Sequence, residues 1–329
     1  MSLSRLVARN LADGRLRLLA GALTLVALTF AARPLVLTRD GVAVLAVVDI
    51  TGSMNVRDYA DPDGQPASRL ETAKAALRDL VAGLPCGSRF ALGLFTERRP
   101  FLLFTPIETC AGFAPIDGAL EAIDWRMAWE GDSRISAGLF RSIALAEELG
   151  TDLVFITDGQ EAPPLPSSGG PAFEGKAGAV KGLIVGAGAA GLSPIPRFND
   201  RGRETGFYRA DEVQQENRFG PPPADAESRE GYNPRNAPFG AAAAGGTEHL
   251  SSVREPYLRA LAGKTGLTYA HLDGPTGLGS ALSSAATPRP VPGRLDPRPI
   301  LGATALLLLL AVFLLPLIRD RGVPTWKKA

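Results

Sequence analysis

Residues 42–55, VAVLAVVDITGSMN, constrain the fold of this chain more than any other stretch. Residues 42–48 form an almost unbroken apolar run rich in β-branched side chains. A strand buried on both faces of a sheet reads this way. The run ends in Asp49, and Thr51 and Ser53 follow at alternate positions. A buried strand that delivers a carboxylate and two hydroxyls into one loop puts hard oxygen donors at the carboxyl edge of a sheet. Open α/β sheets bind ligands at that edge. Three oxygens on one tight loop suit Mg²⁺ or Ca²⁺.

The remaining pattern supports such a sheet. The 329 residues are enough for one sizeable α/β domain plus appendages. Strand and helix signals alternate, which predicts a three-layer, doubly wound, mostly parallel sheet with one antiparallel edge strand. Residues 68–82 read as a helix, with Leu70, Ala73, Leu77, Leu80 and Val81 on one face. Residues 133–149 are a second helix, carrying Ile135, Leu139, Ile143 and Leu149 on its core side. TDLVFIT, at 151–157, is a buried strand that ends in Asp158-Gly159. Further strands are expected at 181–185 and 267–272, and a helix at 254–261. Net charge is +1, so nothing points to nucleic acid. Two His and two Cys are too few for a zinc cluster or a His-rich catalytic centre.

FALGLF and FLLF, at 90–95 and 101–104, form a hairpin around the charged tip Glu97-Arg98-Arg99. If Thr96 faces Pro100, the same register sets Cys86 opposite Cys110. Cross-strand neighbours come close enough for a disulfide. Two buried free thiols are the alternative.

Both ends carry apolar segments. Arg5, Arg9, Arg15 and Arg17 stand against a single acid, Asp13, and an apolar run follows at 18–32. Residues 1–37 read as a signal peptide or an uncleaved signal anchor, and the lack of a clear A-x-A site favours the anchor. A buried core helix fits the one-sided basic flank poorly. Residues 300–318 are apolar and uncharged, long enough to span a bilayer, with Pro316 near the end. Arg319, Arg321, Lys327 and Lys328 follow in the tail 319–329. The positive-inside rule puts both termini in the cytoplasm of a bacterial inner-membrane protein and residues 38–287 in the periplasm, although Arg289, Arg294 and Arg298 pull the other way. Residues 201–247, rich in Gly, Pro, Ala and charge, are expected to be a mobile surface insertion or a partner-docking loop. Residues 288–299 are expected to be a Pro-rich spacer.

Three places carry chemistry: D-x-T-x-S at Asp49, Thr51 and Ser53; Ser133 in GDSRISAGL; and Asp158 in ITDG. Each has a plain reading alone. Asp49 or Ser133 could cap a helix, and Asp158-Gly159 could be a turn. Together they fall on one edge of one sheet. The set resembles the von Willebrand factor A domain with its metal-ion-dependent adhesion site. In that family a D-x-S-x-S loop, a Thr from a second loop and an Asp from a third hold Mg²⁺, and a partner's carboxylate completes the coordination. Here Asp49 and Ser53 match, and Thr51 keeps the hydroxyl of the middle Ser. Ser133 matches the Thr through S-x-I-x-x-G-L (Ser133, Ile135, Gly138, Leu139), and Asp158 matches the Asp. The resemblance implies a bound Mg²⁺, Ca²⁺ or Mn²⁺, a protein partner with an acidic residue, and no catalysis.

A narrower resemblance rests on DITGSMNVRDY, WRMAWEGDS, SPIPRFNDRGRETGF and HLSSVREPYLRALAGKTGL between two apolar ends. These are similar to the von Willebrand A membrane proteins, of the MxaL and MxaC kind, found in methanol dehydrogenase gene clusters beside MoxR-type AAA+ ATPases. That likeness implies a role in maturing the calcium-containing enzyme, with its components, other von Willebrand A membrane proteins and the ATPase as partners. A general Bat-like membrane assembly or stress factor is the alternative. Trp125 and Trp129 would then contact a partner or simply pack beneath the second loop.

An enzyme is the competing class. DITGS resembles the DKTGT loop of haloacid dehalogenase-type phosphatases, with Asp49 as nucleophile. Position 50 is Ile where that loop carries Lys, and no GDGxND-like run follows. Gly186, Gly188 and Gly191 fit G-x-G-x-x-G, but LSPIP comes next and cannot start a phosphate-binding helix; a flexible strand exit is expected. His249 and His271 are isolated and form no nucleophile–His–acid set.

Overall fold

The computed structural model describes residues 14–321 apart from 129–130, 167, 216–217, 219, 223, 236 and 241–244, with side chains for all of these except 294 and 315–321. The chain forms two compact units. One is Arg39–Val291, and the other joins the described parts of Met1–Thr38 and Pro292–Ala329.

In chain order, α1 (Gly14–Ala31) leads into β1 (Leu35–Gly41). β2 (Ala43–Asp49) follows, buried at every position, as its apolar run requires. The short hairpin of β3 (Tyr59–Ala60) and β4 (Pro66–Ala67) precedes α2 (Arg69–Gly83). Ser68 starts α2 as its N-cap, its side chain accepting the Glu71 N–H at 3.1 Å. Next come β5 (Arg89–Thr96), β6 (Arg99–Glu108), α3 (Phe113–Ala122), α4 (Ile135–Leu149), β7 (Asp152–Thr157) and β8 (Gly182–Gly186). The insertion contributes β9 (Ser193–Pro194), β10 (Pro196–Phe198), β11 (Glu204–Phe207) and β12 (Leu250–Ser251). α5 (Glu255–Thr265), β13 (Thr268–His271), α6 (Leu278–Ala285), β14 (Arg289–Leu295) and α7 (Arg298–Arg321) complete the chain.

The central sheet has six strands in the order β13-β8-β7-β2-β5-β6. All pairs are parallel except β5 with β6, so the antiparallel strand lies at the edge, as expected. β2 is central, and its side chains alternate between faces with period two. Val44, Ala46 and Val48 pack with α2, α3 and α6, while Leu45 and Val47 pack with α4 and α5. This is the three-layer arrangement that the continuous apolar run implied. α3 and α6 were not expected. Pro115 and Gly118 interrupt the helical signal in FAPIDGALEA, and LGSALSSA is short and made mostly of small residues.

The hairpin corrects the assumed register. Thr96 pairs with Arg99, and Phe95 with Pro100. The turn therefore has two residues, Glu97 and Arg98, and Glu97 adopts a left-handed φ of 61°. Register shifts around Leu92 bring Arg89 opposite Glu108. Cys86 and Cys110 lie beyond the ladder and are bonded, with Cα atoms 5.2 Å apart. The Glu108 carboxylate gathers the two loops by accepting the N–H groups of Gly87, Cys110 and Ala111. The expected pairing holds, but a carboxylate clamp supports it instead of a continuous ladder.

The insertion departs after β8 and returns at α5, so it is wider than residues 201–247. β9 pairs with β12, and β10 with β11. Trp125 stacks on Phe198 with ring centroids 4.5 Å apart. Arg57 pairs with Glu204. β14 lies within the Pro-rich stretch and pairs with β1 in a two-stranded sheet.

In the smaller unit, Arg298 donates to the Ala32 carbonyl at 3.1 and 3.2 Å. A Cβ on Gly21 would lie 3.3 Å from Leu308. These contacts run in opposite chain directions, so α1 and α7 pack as an antiparallel pair. Among the described residues, α1 is the helix long and apolar enough to cross a membrane, and Arg298–Leu314 is a shorter apolar stretch.

Gly138 shows how tightly α4 meets the sheet. A Cβ there would lie 2.0 Å from the Phe95 ring, and that ring packs on Phe155 with centroids 5.5 Å apart. Gly138→Ala is expected to destabilise the protein by roughly 1–3 kcal/mol through overpacking. Urea unfolding followed by circular dichroism measures this; an unchanged midpoint contradicts the close helix–strand approach.

Candidate metal centre

Asp49 ends β2 and is fully buried. Its Oδ1 accepts the Thr51 amide at 2.9 Å and the Thr51 hydroxyl at 2.7 Å. Its Oδ2 accepts the Thr157 hydroxyl at 2.7 Å. Thr157 ends β7, the parallel neighbour of β2, which is why it arrives beside Asp49. The sequence reading passed over Thr157, although its place at a strand end directly before Asp158 was visible. Ser53 lies in a 3₁₀ turn, Gly52–Asn55, and is buried.

Ser133 is held from two sides. Its N–H donates to the Ala162 carbonyl and its carbonyl accepts the Ala162 N–H, both at 2.7 Å. On the other side the β5–β6 turn reaches over: the Glu97 N–H donates to Asp132 at 3.0 Å, and the Arg134 N–H donates to Glu97 at 2.6 Å. The left-handed Glu97 is therefore part of the clamp. The Ser133 hydroxyl lies 3.5 Å from the Thr51 hydroxyl.

Asp158 is engaged on both oxygens. Oδ1 accepts the Gln160 N–H at 3.0 Å; Oδ2 accepts the Ser251 hydroxyl and Arg69 Nη1, each at 2.7 Å. Arg69 is the first residue of α2 and has no exposure. Its remaining donors meet Asp58 at 2.7 to 3.1 Å and the Ser251 carbonyl at 3.2 Å. A buried guanidinium is tolerated only with this degree of pairing. Gly188 makes the space: its φ is +121°, and a Cβ there would lie 2.5 Å from Arg69 Nε. The glycine-rich strand exit was expected to be flexible; instead Gly188 is a packing position. Arg69, Asp58 and Ser251 were not anticipated, because the sequence places them far from Asp158.

These groups fix the electrostatics. Asp49, Asp158 and Asp58 are three carboxylates, and Arg69 is one guanidinium. With all three ionised, two negative charges remain in excess; Asp49 and Asp158 are fully buried and Asp58 partly so. Burial first, and then the nearby charge of Asp158, push the Asp49 carboxyl up to about 7; the Thr157 and Thr51 hydrogen bonds oppose that rise. A divalent cation would cancel the excess. Asp49, Thr51, Ser53 and Ser133 are the side chains that could hold it, all with hard oxygens. Hard oxygen donors suit Mg²⁺ or Ca²⁺ rather than zinc; among the described residues, no group of three or more His, Cys, Asp or Glu could hold a metal.

Above these residues lies a recess of about 590 Å³, with Thr51, Ser53 and Ser133 in its lining and Ile195, Tyr208 and Glu212 of the insertion beside them. Trp125 is half-buried and its ring meets Phe198 of this same chain. Trp129 lies outside the described residues. Ile50 is buried in the core between the sheet and α2, so the position that carries Lys in a phosphatase loop faces inward.

Residues 44–160 match the family model of the von Willebrand factor type A domain. That segment contains Asp49, Thr51, Ser53, Ser133 and Asp158. None of the curated proteins matches the sequence. Among solved structures, an aerotolerance-related membrane protein from Bacteroides fragilis, carrying multiple mutations to serines, is 19% identical, with a TM-score of 0.44 over 74% of this chain and 96% of that one. A conserved hypothetical protein, BatB, from Bacteroides thetaiotaomicron is 19% identical, with a TM-score of 0.42 over 71% and 91%. An uncharacterised membrane-spanning protein from Vibrio fischeri is 16% identical, with a TM-score of 0.27 over 70% and 90%. At these TM-scores the likenesses support no inference about this chain.

The raised Asp49 carboxyl gives a test with a defined sign. It ionises near 3.8 when unfolded and about 7 in the metal-free fold. Its contribution to stability is full below the lower value and is lost as pH rises through the upper one. A cation that binds the carboxylate offsets that loss. The rise in melting temperature on adding Mg²⁺ to chelator-treated protein is expected to be larger at about pH 8 than at about pH 5.5. An equal rise at both, or a larger one in acid, contradicts the assignment of Asp49 as the cation's carboxylate.

Proposed function

We propose that this chain is a membrane-anchored protein-binding module whose Asp49 site holds a divalent cation (Mg²⁺, Ca²⁺ or Mn²⁺) and through it grips an acidic side chain of a partner. The observation that carries this reading is the buried charge excess at Asp49, beside three hydroxyl side chains. Bound there, the cation supplies a Lewis-acidic position able to take a carboxylate. The chain does the positioning. Thr157 fixes one oxygen of Asp49, and the Thr51 amide fixes the other. The Glu97 and Ala162 contacts fix Ser133. Arg69 draws on Asp158, while among the described residues no ion pair involves Asp49. With few protein charges at the ion, its affinity for an incoming acid stays high. This arrangement supports binding rather than catalysis, and the inward-facing Ile50 speaks against the phosphatase reading.

We place the sheet domain in the bacterial periplasm, with α1 and α7 as inner-membrane anchors and both termini cytoplasmic. Basic residues at the outer ends of both apolar segments support that orientation, and the Cys86–Cys110 disulfide fits an oxidising compartment. The narrower reading is assembly or maturation of a periplasmic complex, methanol dehydrogenase being the specific candidate, together with a MoxR-type ATPase. It rests on the sequence resemblance alone. Methanol dehydrogenase genes beside this one would support it.

Isothermal titration of the detergent-solubilised full chain tests the site. Asp49→Ala is expected to lower Mg²⁺ affinity by at least about a hundredfold, the order of a lost buried charged partner. Equal affinity in the wild-type and variant proteins removes the metal assignment and, with it, the proposed mode of partner binding.

A further inference from the structure

We infer that the helix-proximal end of the β1–β14 ribbon is a lipid-contact element. Leu35, Val36 and Leu37 enter the headgroup layer of the bilayer, and Arg33 with its neighbouring arginines binds the phosphates of anionic lipids. The inference rests on the reading of α1 and α7 as membrane anchors. It adds a lipid surface to the proposed cation site and does not involve that site.

The first half of β1 is unlike any strand of the central sheet. α1 ends at Ala31 and β1 begins at Leu35, with Ala32, Arg33 and Pro34 between them. Leu35, Val36 and Leu37 are exposed at 55%, 73% and 43%, whereas every residue of β2 is buried. Thr38, Arg39 and Asp40 follow, exposed as well. Apolar side chains thus occupy only the half of the strand nearest the helix. Along a strand successive side chains point to opposite faces, so Leu35 and Leu37 share one face and Val36 takes the other. Leu295, which ends β14, and Ile300, in the first turn of α7, are exposed too.

Exposure on both faces selects the occupant. A protein partner docking on a ribbon covers one face, and a surrounding apolar medium covers both at once. Continuity of the chain supplies that medium. α1 is long and apolar enough to cross a membrane. Its end is tied to the start of α7 by Arg298, whose guanidinium donates to the Ala32 carbonyl. Leu35 therefore follows the end of a candidate span by only a few residues. Three strand residues extend about 10 Å, which a tilted ribbon fits into a headgroup layer of roughly 5–8 Å. Charge agrees with this placement. Residues 32–38 and 292–300 hold Arg33, Arg294 and Arg298 against one acid, Asp296. Asp296 lies 3.8 Å from Arg298, and among the described residues no ion pair involves Arg33. A guanidinium meets phosphate oxygens through paired N–H donors. An arginine beside apolar residues keeps its stem among them and its charge at the headgroups.

The test places the full chain in nanodiscs of equal parts phosphatidylcholine and phosphatidylglycerol, with one cysteine introduced at a time and labelled with bimane. The native cysteines are bonded to each other, so the introduced thiol takes the label. Val36→Cys and Leu37→Cys report the two faces of the ribbon. Leu23→Cys in α1 and Leu192→Cys in the insertion, both at exposed positions, are the lipid and water controls. Brominated lipid is expected to quench the label at Val36, Leu37 and Leu23 and to leave Leu192 bright. Bromine carried on phosphatidylglycerol alone is expected to quench at Val36 at least about twofold more than bromine on phosphatidylcholine alone, and Arg33→Gln is expected to lower that ratio. If Leu37→Cys fails to fold, Leu35→Cys reports the same face. A quenched Leu23 beside unquenched Val36 and Leu37 overturns the inference and leaves the anchors standing. Quenching on one face alone overturns it as well, since the ribbon is then covered on one side only. An unquenched Leu23 removes the anchor reading and this inference with it. Equal quenching by the two lipids overturns the assignment of the arginines to anionic headgroups.

Discussion

The buried pairing of Arg69 with Asp158 and Asp58 is the constraint on which the rest of the site depends. Its guanidinium joins the start of α2 to the end of β7 and, through Ser251, to the returning insertion. Asp58 extends the link to the exit of β8 by accepting the Ala189 N–H at 2.8 Å. Four separate loops are thus held in one arrangement by Arg69 and Asp58. Such a network adds little net stability relative to an apolar core, but breaking it leaves charges stranded away from water. Its effect is geometric. It fixes where Asp158 stands and leaves Asp49 with an uncompensated charge.

The proposed function follows from that imbalance. A sheet edge at which every carboxylate was paired would have no use for a cation. Here Arg69 pairs with Asp58 and Asp158, and Asp49 is left to burial, the Thr51 amide and hydroxyl donors. Residues 51–53, 131–134 and 160–164 line a recess that residues of the insertion also border. On the proposed function, a partner would meet a shaped cavity with acidic groups as well as a cation site, and its recognition would depend on several side chains together.

What was legible in the sequence reflects which forces act locally. Burial of β2 on both faces demanded a continuous apolar run, and that run showed itself at once. The Ser68 cap and the amphipathic faces of α2 and α4 are likewise local. Ligand candidates stood at strand ends or at a helix start, so Asp49, Thr51, Ser53, Ser133 and Asp158 could be named. The cystine was found through a register that proved to be one residue out, because the turn at Glu97 is tighter than assumed and the ladder slips near Leu92. α3 and α6 were lost to Pro115, Gly118 and small residues. Arg69 was illegible for a different reason: its partners Asp158 and Ser251 lie 89 and 182 residues away, and nothing near Ser68-Arg69-Leu70 signals them. Gly188 resembled a loop glycine until the side chain that needs its space was known.

The most direct measurement is anomalous diffraction from crystals of the protein grown with Mn²⁺. The account predicts a single strong anomalous peak within bonding distance of the Asp49 carboxylate and the Ser53 and Ser133 hydroxyls, with Asp158 still paired to Arg69. A peak elsewhere, or crystals that show Asp49 bonded only to Thr51 and Thr157 at saturating Mn²⁺, would contradict it.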